Sequence, residues 1–374
     1  MLDFSLAGIG FSALYFFIAI IIIVFVHEYG HFQVGRWCGV TIETFSVGFG
    51  REIFGFNDKH GTRWKFSWIP LGGYVRFLGD ANAASMPSVV SDPTPGSLQA
   101  ATVWKRALIV AAGPFANFVL AVLIFAAAYC FVGTQINEPR IDSVTEDGAA
   151  KAAGLMVGDY VRAIDGKAIH SFVDIHEAMI LQGDTPVVLA VERNKQMLNI
   201  NIVPKIVEIK DSSGRVQRVS QIGIMHKFEN DPVGNERLSP LAAVAKGIER
   251  TYFVSKTTLR YVGKMFEGKE KSDQLHGPIG VAQLAGESAS LGVWPFITFI
   301  ALISVSVGLV NLFPIPMLDG GHLVFYLIEA VFRKPVGPVA QEWSFRIGLS
   351  AMVLLMLFAT NNDLSPYVNK VFGW

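Results

Sequence analysis

The sequence predicts a polytopic α-helical membrane protein of about four spans, with a β-rich domain inserted between the second and third. Three observations lead there. The 374 residues are 51% hydrophobic and only 17% charged, with mean hydropathy +0.42, too apolar for an ordinary soluble chain. Four apolar stretches, at 6–26, 107–132, 293–318 and about 343–359, approach or exceed the ~20 residues that cross a bilayer. From about 133 to 292 the long apolar runs give way to short alternating segments bounded by turn residues, a strand-rich pattern.

The first span carries no charge and runs directly into His27-Glu28-Tyr29-Gly30-His31. It lacks the basic leader and small-residue cleavage site of a signal peptide, so it is expected to be retained. Two histidines four apart project from one helix face and can hold one Zn²⁺. In an H-E-x-x-H pattern the intervening Glu28 serves as general base. A helix end facing water is the bland alternative, but three ionisable groups at the end of an uncharged run are costly without a function.

After it, 41–50 and 62–79 are rich in aromatic and β-branched residues broken by glycines, which predicts a hairpin. Gly72 and Gly73 mark a turn or a close backbone approach. A membrane-associated hairpin dipping beside the metal requires protein or a water-filled cavity around its backbone; a cytoplasmic hairpin without a catalytic part is the alternative. The Ser-, Pro- and Ala-rich stretch 81–96 reads as a flexible loop. The second span contains Gly113-Pro114-Phe115-Ala116-Asn117. Asn117 in an apolar helix needs a partner, and Gly113 lets another helix approach; packing glue and lining of an active-site cavity both fit.

Charges set the expected topology. Only Asp3 precedes the first span, whereas eight Lys and Arg residues from Arg36 to Arg106 place the segment between spans one and two in the cytoplasm. Arg333 and Lys334 do the same between spans three and four. The N-terminus and the long insert then face outward. The formal net charge of zero gives no sign of a nucleic-acid partner. Cys38 and Cys130 are too few for a disulfide framework and are expected as free thiols on opposite sides.

Within the insert, 140–145, 160–165, 187–192 and 197–203 read as strands and 172–181 as a short amphipathic helix. The stretch AKAAGLMVGDYVRAIDGKAI, 150–169, resembles the PDZ signature of bacterial envelope proteases, over about 134–205. That resemblance implies capture of an extended peptide or C-terminus by strand addition; a steric baffle that grips nothing is the alternative. An amphipathic helix follows at 238–266, suited to the membrane surface or to packing on this module.

The third span ends in NLFPIPMLDGGH, 311–322, where Asp319 is the one nearby carboxylate. With His27 and His31 it would leave a fourth tetrahedral position for water. Pro314 and Pro316 break the helix and free backbone groups for an extended substrate, and Asn311 offers an amide to a substrate carbonyl or oxyanion. The fourth span is interrupted by Arg346, expected to snorkel to an interface.

Taken in order, these motifs resemble the site-2 protease family, in its bacterial PDZ-bearing branch of inner-membrane proteases that cut anti-sigma factors. The resemblance covers the whole chain and implies Zn²⁺ on His27, His31 and Asp319, with Glu28 catalytic. It also implies substrate handling by Asn311, Pro314, Pro316, Gly72 and Gly73; Asn117, from its own place in the second span, is added to these candidate substrate-binding residues. Expected partners are the lipid bilayer and single-span membrane substrates, anti-sigma factors or remnant signal peptides. The expected division is a membrane core at 1–132, PDZ domain at 133–205, amphipathic linker at 206–292 and second membrane core at 293–374. The N-terminus and PDZ domain would be periplasmic and the active site near the cytoplasmic face. Two departures stand out: one PDZ domain where better-known members carry two, and Ser306 where many have a second Asn. A metal or proton transporter would usually show an internal repeat, and none is visible. An inactive PDZ scaffold would not need H-E-x-x-H with its Asp.

Overall fold

The computed structural model describes residues 6–80, 94–135, 137–210, 216–227, 235–268 and 276–372. Most of the loop expected at 81–96 lies outside them. The chain forms two compact units, one of 1–128, 243–255 and 275–365 and the other of 129–242, 256–274 and 366–374.

The first unit opens with α1 (Leu6–Trp37). At 1.5 Å per residue its 32 residues span roughly 48 Å, well beyond a ~30 Å hydrocarbon core, so H-E-x-x-H lies on continuous helix. A long antiparallel hairpin follows, β1 (Ile42–Asn57) with β2 (Arg63–Phe77). β1 runs seven residues further than the sequence predicts (50 against 57). The expected segment ends at Gly50, but the φ values of Gly48 and Gly50, +91° and +88°, are absorbed by shifts in the pairing register. The turn is fixed by Asp58, which accepts hydrogen bonds from the backbone N–H of His60 and Thr62, from Trp64 Nε1 and from Arg36 at the end of α1. Phe32, Phe45 and Trp64 pack edge-on and tilted around the α1–hairpin seam, so burial of aromatic area holds the hairpin to the helix.

Next comes α2 (Val103–Phe131), with Pro114 inside it. The second unit begins there: β3 (Thr134–Gln135), β4 (Ser143–Val144), α3 (Ala149–Ala152), β5 (Tyr160–Ile164), β6 (Lys167–Ala168), α4 (Phe172–Gln182), β7 (Val187–Arg193) and β8 (Gln196–Ile202). Its central sheet has order β6-β5-β7-β8. Val161, Ile164, Val187, Leu189 and Val191 fill its core with Ile175 and Met179 from α4. The Gly154–Asp159 loop is closed by Asp159, which accepts from the Met156 backbone and from Arg193, whose guanidinium also reaches Gly154 O. Asp165 and Gly166 take positive φ to turn the next hairpin. The chain continues as β9 (Lys205–Lys210), β10 (Val216–Gln221), β11 (Ile224–Met225) and β12 (Asn235–Glu236). β11 pairs with β4 and β12 with β3, and Ile222 joins the same core.

The expected amphipathic helix is α5 (Pro240–Phe266). The first unit resumes with α6 (Pro278–Ser290), α7 (Val293–Asn311), α8 (Asp319–Phe332) and α9 (Pro338–Phe372). Among the described residues, four helices, 7–37, 103–131, 293–311 and 338–365, are long and apolar enough to span a membrane. α6 packs on α1, where Gly286 meets Ser12. Asp363 of α9 accepts from the Gly277 and Gly280 N–H groups and so satisfies the start of α6. Arg346 pairs with Glu342 one turn back at 2.6 Å. The third span stops at Asn311, seven residues short of the apolar run's end at Leu318, because Pro314 and Pro316 cannot donate to a continuing helix.

Candidate metal centre

His27 and His31 lie one turn apart on α1, and Asp319 is the first residue of α8. His27 Nε2 is 3.2 Å from His31 Nε2, and Asp319 Oδ2 is 3.1 and 3.5 Å from the two. A tetrahedral site with arms of about 2.1 Å sets its ligand atoms about 3.4 Å apart, so this nitrogen, nitrogen, oxygen set fits Zn²⁺. Asp319 Oδ2 is buried and has no hydrogen-bond donor aligned on it, as expected of an oxygen whose partner is a cation. Position 1 of α8 also puts the carboxylate at the positive end of that helix.

α2 supplies the floor of the cluster. Ile109, Gly113 and Asn117 share one face at four-residue spacing. His31 Nδ1 donates to Ile109 O at 2.8 Å, which leaves Nε2 with its lone pair toward the cluster. Gly113 lies beneath both rings: a β-carbon there would overlap His31 and come within 2.9 Å of His27 Cε1. Asn117 is fully buried, its amide 3.2 Å from His27 Nδ1, so the structure places it against a histidine. One turn of α1 past His27, Gly30 lets the helices close onto the Ala112 carbonyl.

Glu28 faces the hairpin. A β-carbon on Gly73 would come within 2.9 Å of Glu28 Cγ and 2.8 Å of Val24 Cγ1. Gly73 is therefore the close approach, whereas Gly72, at φ +149°, packs under the ring of Phe49. The 312–318 segment turns back tightly before Asp319. Leu318 N donates to Ile315 O, and Met317 takes a left-handed φ of 87°, a strain on the order of 1–3 kcal/mol. The carbonyls of Leu312 and Phe313 occupy the space a side chain at Gly320 would need, which is why the helix opens Asp-Gly-Gly. Asn311, at the end of α7, and Pro316 are half-buried and Pro314 is exposed; none of the three is hydrogen-bonded to His27 or His31. The carbonyl of Ile109 belongs to the site without any sequence signal, because backbone groups are the same in every residue.

The profile of peptidase family M50 matches residues 15–355. The chain belongs to that family, the site-2 proteases. A relative in Agrobacterium fabrum, provisionally named a zinc metalloprotease, is 44% identical over 372 residues, covering 97% of this chain and 99% of that protein. One in Rhizobium meliloti with the same kind of name is 42% identical, covering 96% of each. Metalloprotease MmpA of Caulobacter vibrioides is 38% identical, covering 94% of this chain and 95% of its own. Among solved structures, the PDZ domain of an SdrC-like protein from Listeria monocytogenes matches 24% of this chain and 87% of its own at 23% identity, TM-score 0.19. That score is too low to support a fold assignment. This M50 member is thus a multi-pass zinc metalloprotease of the intramembrane type.

Proposed function

We propose that this M50 protease hydrolyses peptide bonds inside the transmembrane segments of single-span membrane proteins, anti-sigma factors being the expected class, from the inner membrane. His27, His31 and Asp319 hold the zinc and Glu28 is the general base. The observation that carries this reading is the placement of Glu28 directly against Gly73 of β2. It sets a proton acceptor beside a two-stranded sheet, and a sheet edge can pair an unwound substrate segment by strand addition.

Zinc, when bound, supplies a Lewis acid that polarises the scissile carbonyl and makes water reactive near neutral pH. Glu28 takes a proton as the water oxygen bonds to the carbonyl carbon. It then gives that proton to the departing amine as the C–N bond breaks. The substrate helix must first unwind, since its own turns shield each peptide bond; pairing with the hairpin and contacts from Asn311, Pro314 and Pro316 would offset that cost. The 133–205 module, with its PDZ signature, would face the periplasm and screen substrates by peptide capture or by bulk. A transporter reading has no support in the family, and an inactive scaffold would not need Glu28 held between α1 and β2.

The test uses purified full-length protein in detergent with a single-span model substrate. Wild type should cut it, and Glu28→Gln should retain zinc and lose cleavage by at least ~100-fold. Equal cleavage by both proteins would overturn the assignment of Glu28.

A further inference from the structure

We infer that Asn117 is the positioning residue that fixes the tautomer of His27, and so sets how tightly the two-histidine cluster holds its metal. The inference rests on the zinc reading above and assigns Asn117 a role other than substrate contact. Three observations carry it. Asn117 has no exposed surface, which removes it from contact with substrate or solvent. Its amide stands 3.2 Å from His27 Nδ1, the ring nitrogen turned away from the cluster. Its Oδ1 is buried without a hydrogen-bond partner.

A neutral imidazole carries one proton, and the partner of one ring nitrogen decides what the other can do. If the Asn117 Nδ2 donates to Nδ1, the His27 proton sits on Nε2. That nitrogen faces His31 Nε2 at 3.2 Å and Asp319 Oδ2 at 3.1 Å, and with its proton it cannot act as a ligand. A half-turn of the amide about its Cβ–Cγ bond exchanges oxygen for nitrogen at nearly the same positions. Oδ1 then accepts from Nδ1–H, the orphaned oxygen gains a partner, and Nε2 presents its lone pair to Asp319 and His31. His31 reaches the same tautomer through Ile109 O. The two anchors lie eight residues apart on one face of α2, with Gly113 between them making room for the rings. Helix α7 holds this stretch of α2 in place, through Ser304 Oγ donating to Asn117 O at 2.9 Å and through Gly308 against Pro114 O.

An aspartate at 117 can accept from Nδ1–H as the amide oxygen does; a leucine fills similar space and accepts nothing. The zinc dissociation constant of full-length wild type, Asn117→Leu and Asn117→Asp, measured by competition with a chromophoric chelator, separates these roles. Leucine should weaken binding by about 10–100-fold, the usual effect of losing a metal ligand's hydrogen-bond partner, and aspartate should stay within a few-fold of wild type. Zinc binding by Asn117→Leu as tight as wild type would overturn the inference. So would an aspartate variant as weak as leucine, since the loss would then be one of packing. Should the leucine variant fail to fold, the nitrogen spectrum of histidine-labelled, zinc-loaded wild type decides alone. A proton on His27 Nδ1 is expected, and one on Nε2 overturns the proposal. Wild type without zinc would instead strike down the metal reading beneath it.

Discussion

Gly113 lies directly beneath His31, so close that a β-carbon would overlap the ring at Nε2. The α2 backbone is thereby in contact with a proposed metal ligand, and the second-span motif borders the candidate metal centre as well as packing the helices. Gly113→Ala should displace His31 and cost at least ~100-fold in cleavage, the scale of a 1 Å misplacement. Elemental analysis of the purified variant should show zinc falling well below one per chain while the protein still inserts. Full zinc retention would mean that α2 can retreat and that the contact is only packing.

Gly73 has the matching role on the opposite side of Glu28. A valine there must displace Glu28 or Val24, or push against Ser46 O at 2.7 Å from the added β-carbon. Because none of these atoms ligates, Gly73→Val should keep its zinc while kcat drops by about 100-fold or more, the contribution of a placed general base. Steady-state cleavage and metal content measured on one preparation check this, and loss of zinc would place the hairpin's influence on the histidines instead.

Much of this centre was legible because ionisable residues are conspicuous in an apolar run. His27, Glu28, His31 and Asp319 each interrupt stretches that otherwise carry no charge. What stayed hidden was carried by the backbone or by short elements. Ile109 contributes a carbonyl, which no residue type announces. The expected third span runs on to Leu318, although Pro314 and Pro316 already forbid a continuous helix past Asn311, and the 14-residue α8 beyond it is not separated by any pattern the sequence shows. Strands as short as Ile224–Met225 have no periodicity to detect, so the attachment of 222–225 to the β-rich core appears only in the pairing with β4. The extension of β1 past Gly50 was masked because glycines at positive φ look like turns.

Asp58 gives the hairpin an acid-sensitive anchor. Burial works to raise its pKa, but Trp64 Nε1, the His60 and Thr62 N–H groups and Arg36 outweigh it and hold the carboxyl at about 2, below the ordinary 3.8. The folded value lies below the unfolded one, so the stabilisation is full above about pH 4 and is lost as pH falls toward 2. Trp64 packs against Asp58, so the fluorescence of Trp64, with the other tryptophans replaced, should report loosening of the turn in that window. Asp58→Asn should flatten the response, and an unchanged acid profile in that variant would assign the loosening to other carboxyls.

The proposed orientation is open to a labelling test in a Cys130→Ser background. Cys38 follows α1 and should resist a membrane-impermeant thiol reagent applied to intact spheroplasts, reacting only in inverted vesicles. A cysteine at the exposed Gln196, at the start of β8, should react in intact spheroplasts. The reverse pattern would invert the topology and move the β-rich module into the cytoplasm.

The last prediction concerns that module. Among the described residues, none from this module belongs to the cluster of His27, His31 and Asp319, so its proposed part is selection and not chemistry. A folded module facing the periplasm would collide with a bulky outward domain on a substrate and pass a trimmed stub, discriminating by excluded volume with no need for tight peptide binding. Where the excision is made matters. Ending it at Lys205 would leave β11 without β4 and expose Ile222 from the core. Removing 137–234 keeps β3 and β12, which pair Thr134 with Glu236 and Gln135 with Asn235. Paired strands lie only about 5 Å apart, so a short Gly/Ser linker can close the gap. The excised protein should bind zinc, cut a short-tailed substrate within a few-fold of the wild-type rate, and also begin to cut a substrate that keeps its folded outward domain. Loss of short-tailed cleavage in a protein that still binds zinc would instead make the module a docking site that every substrate must engage.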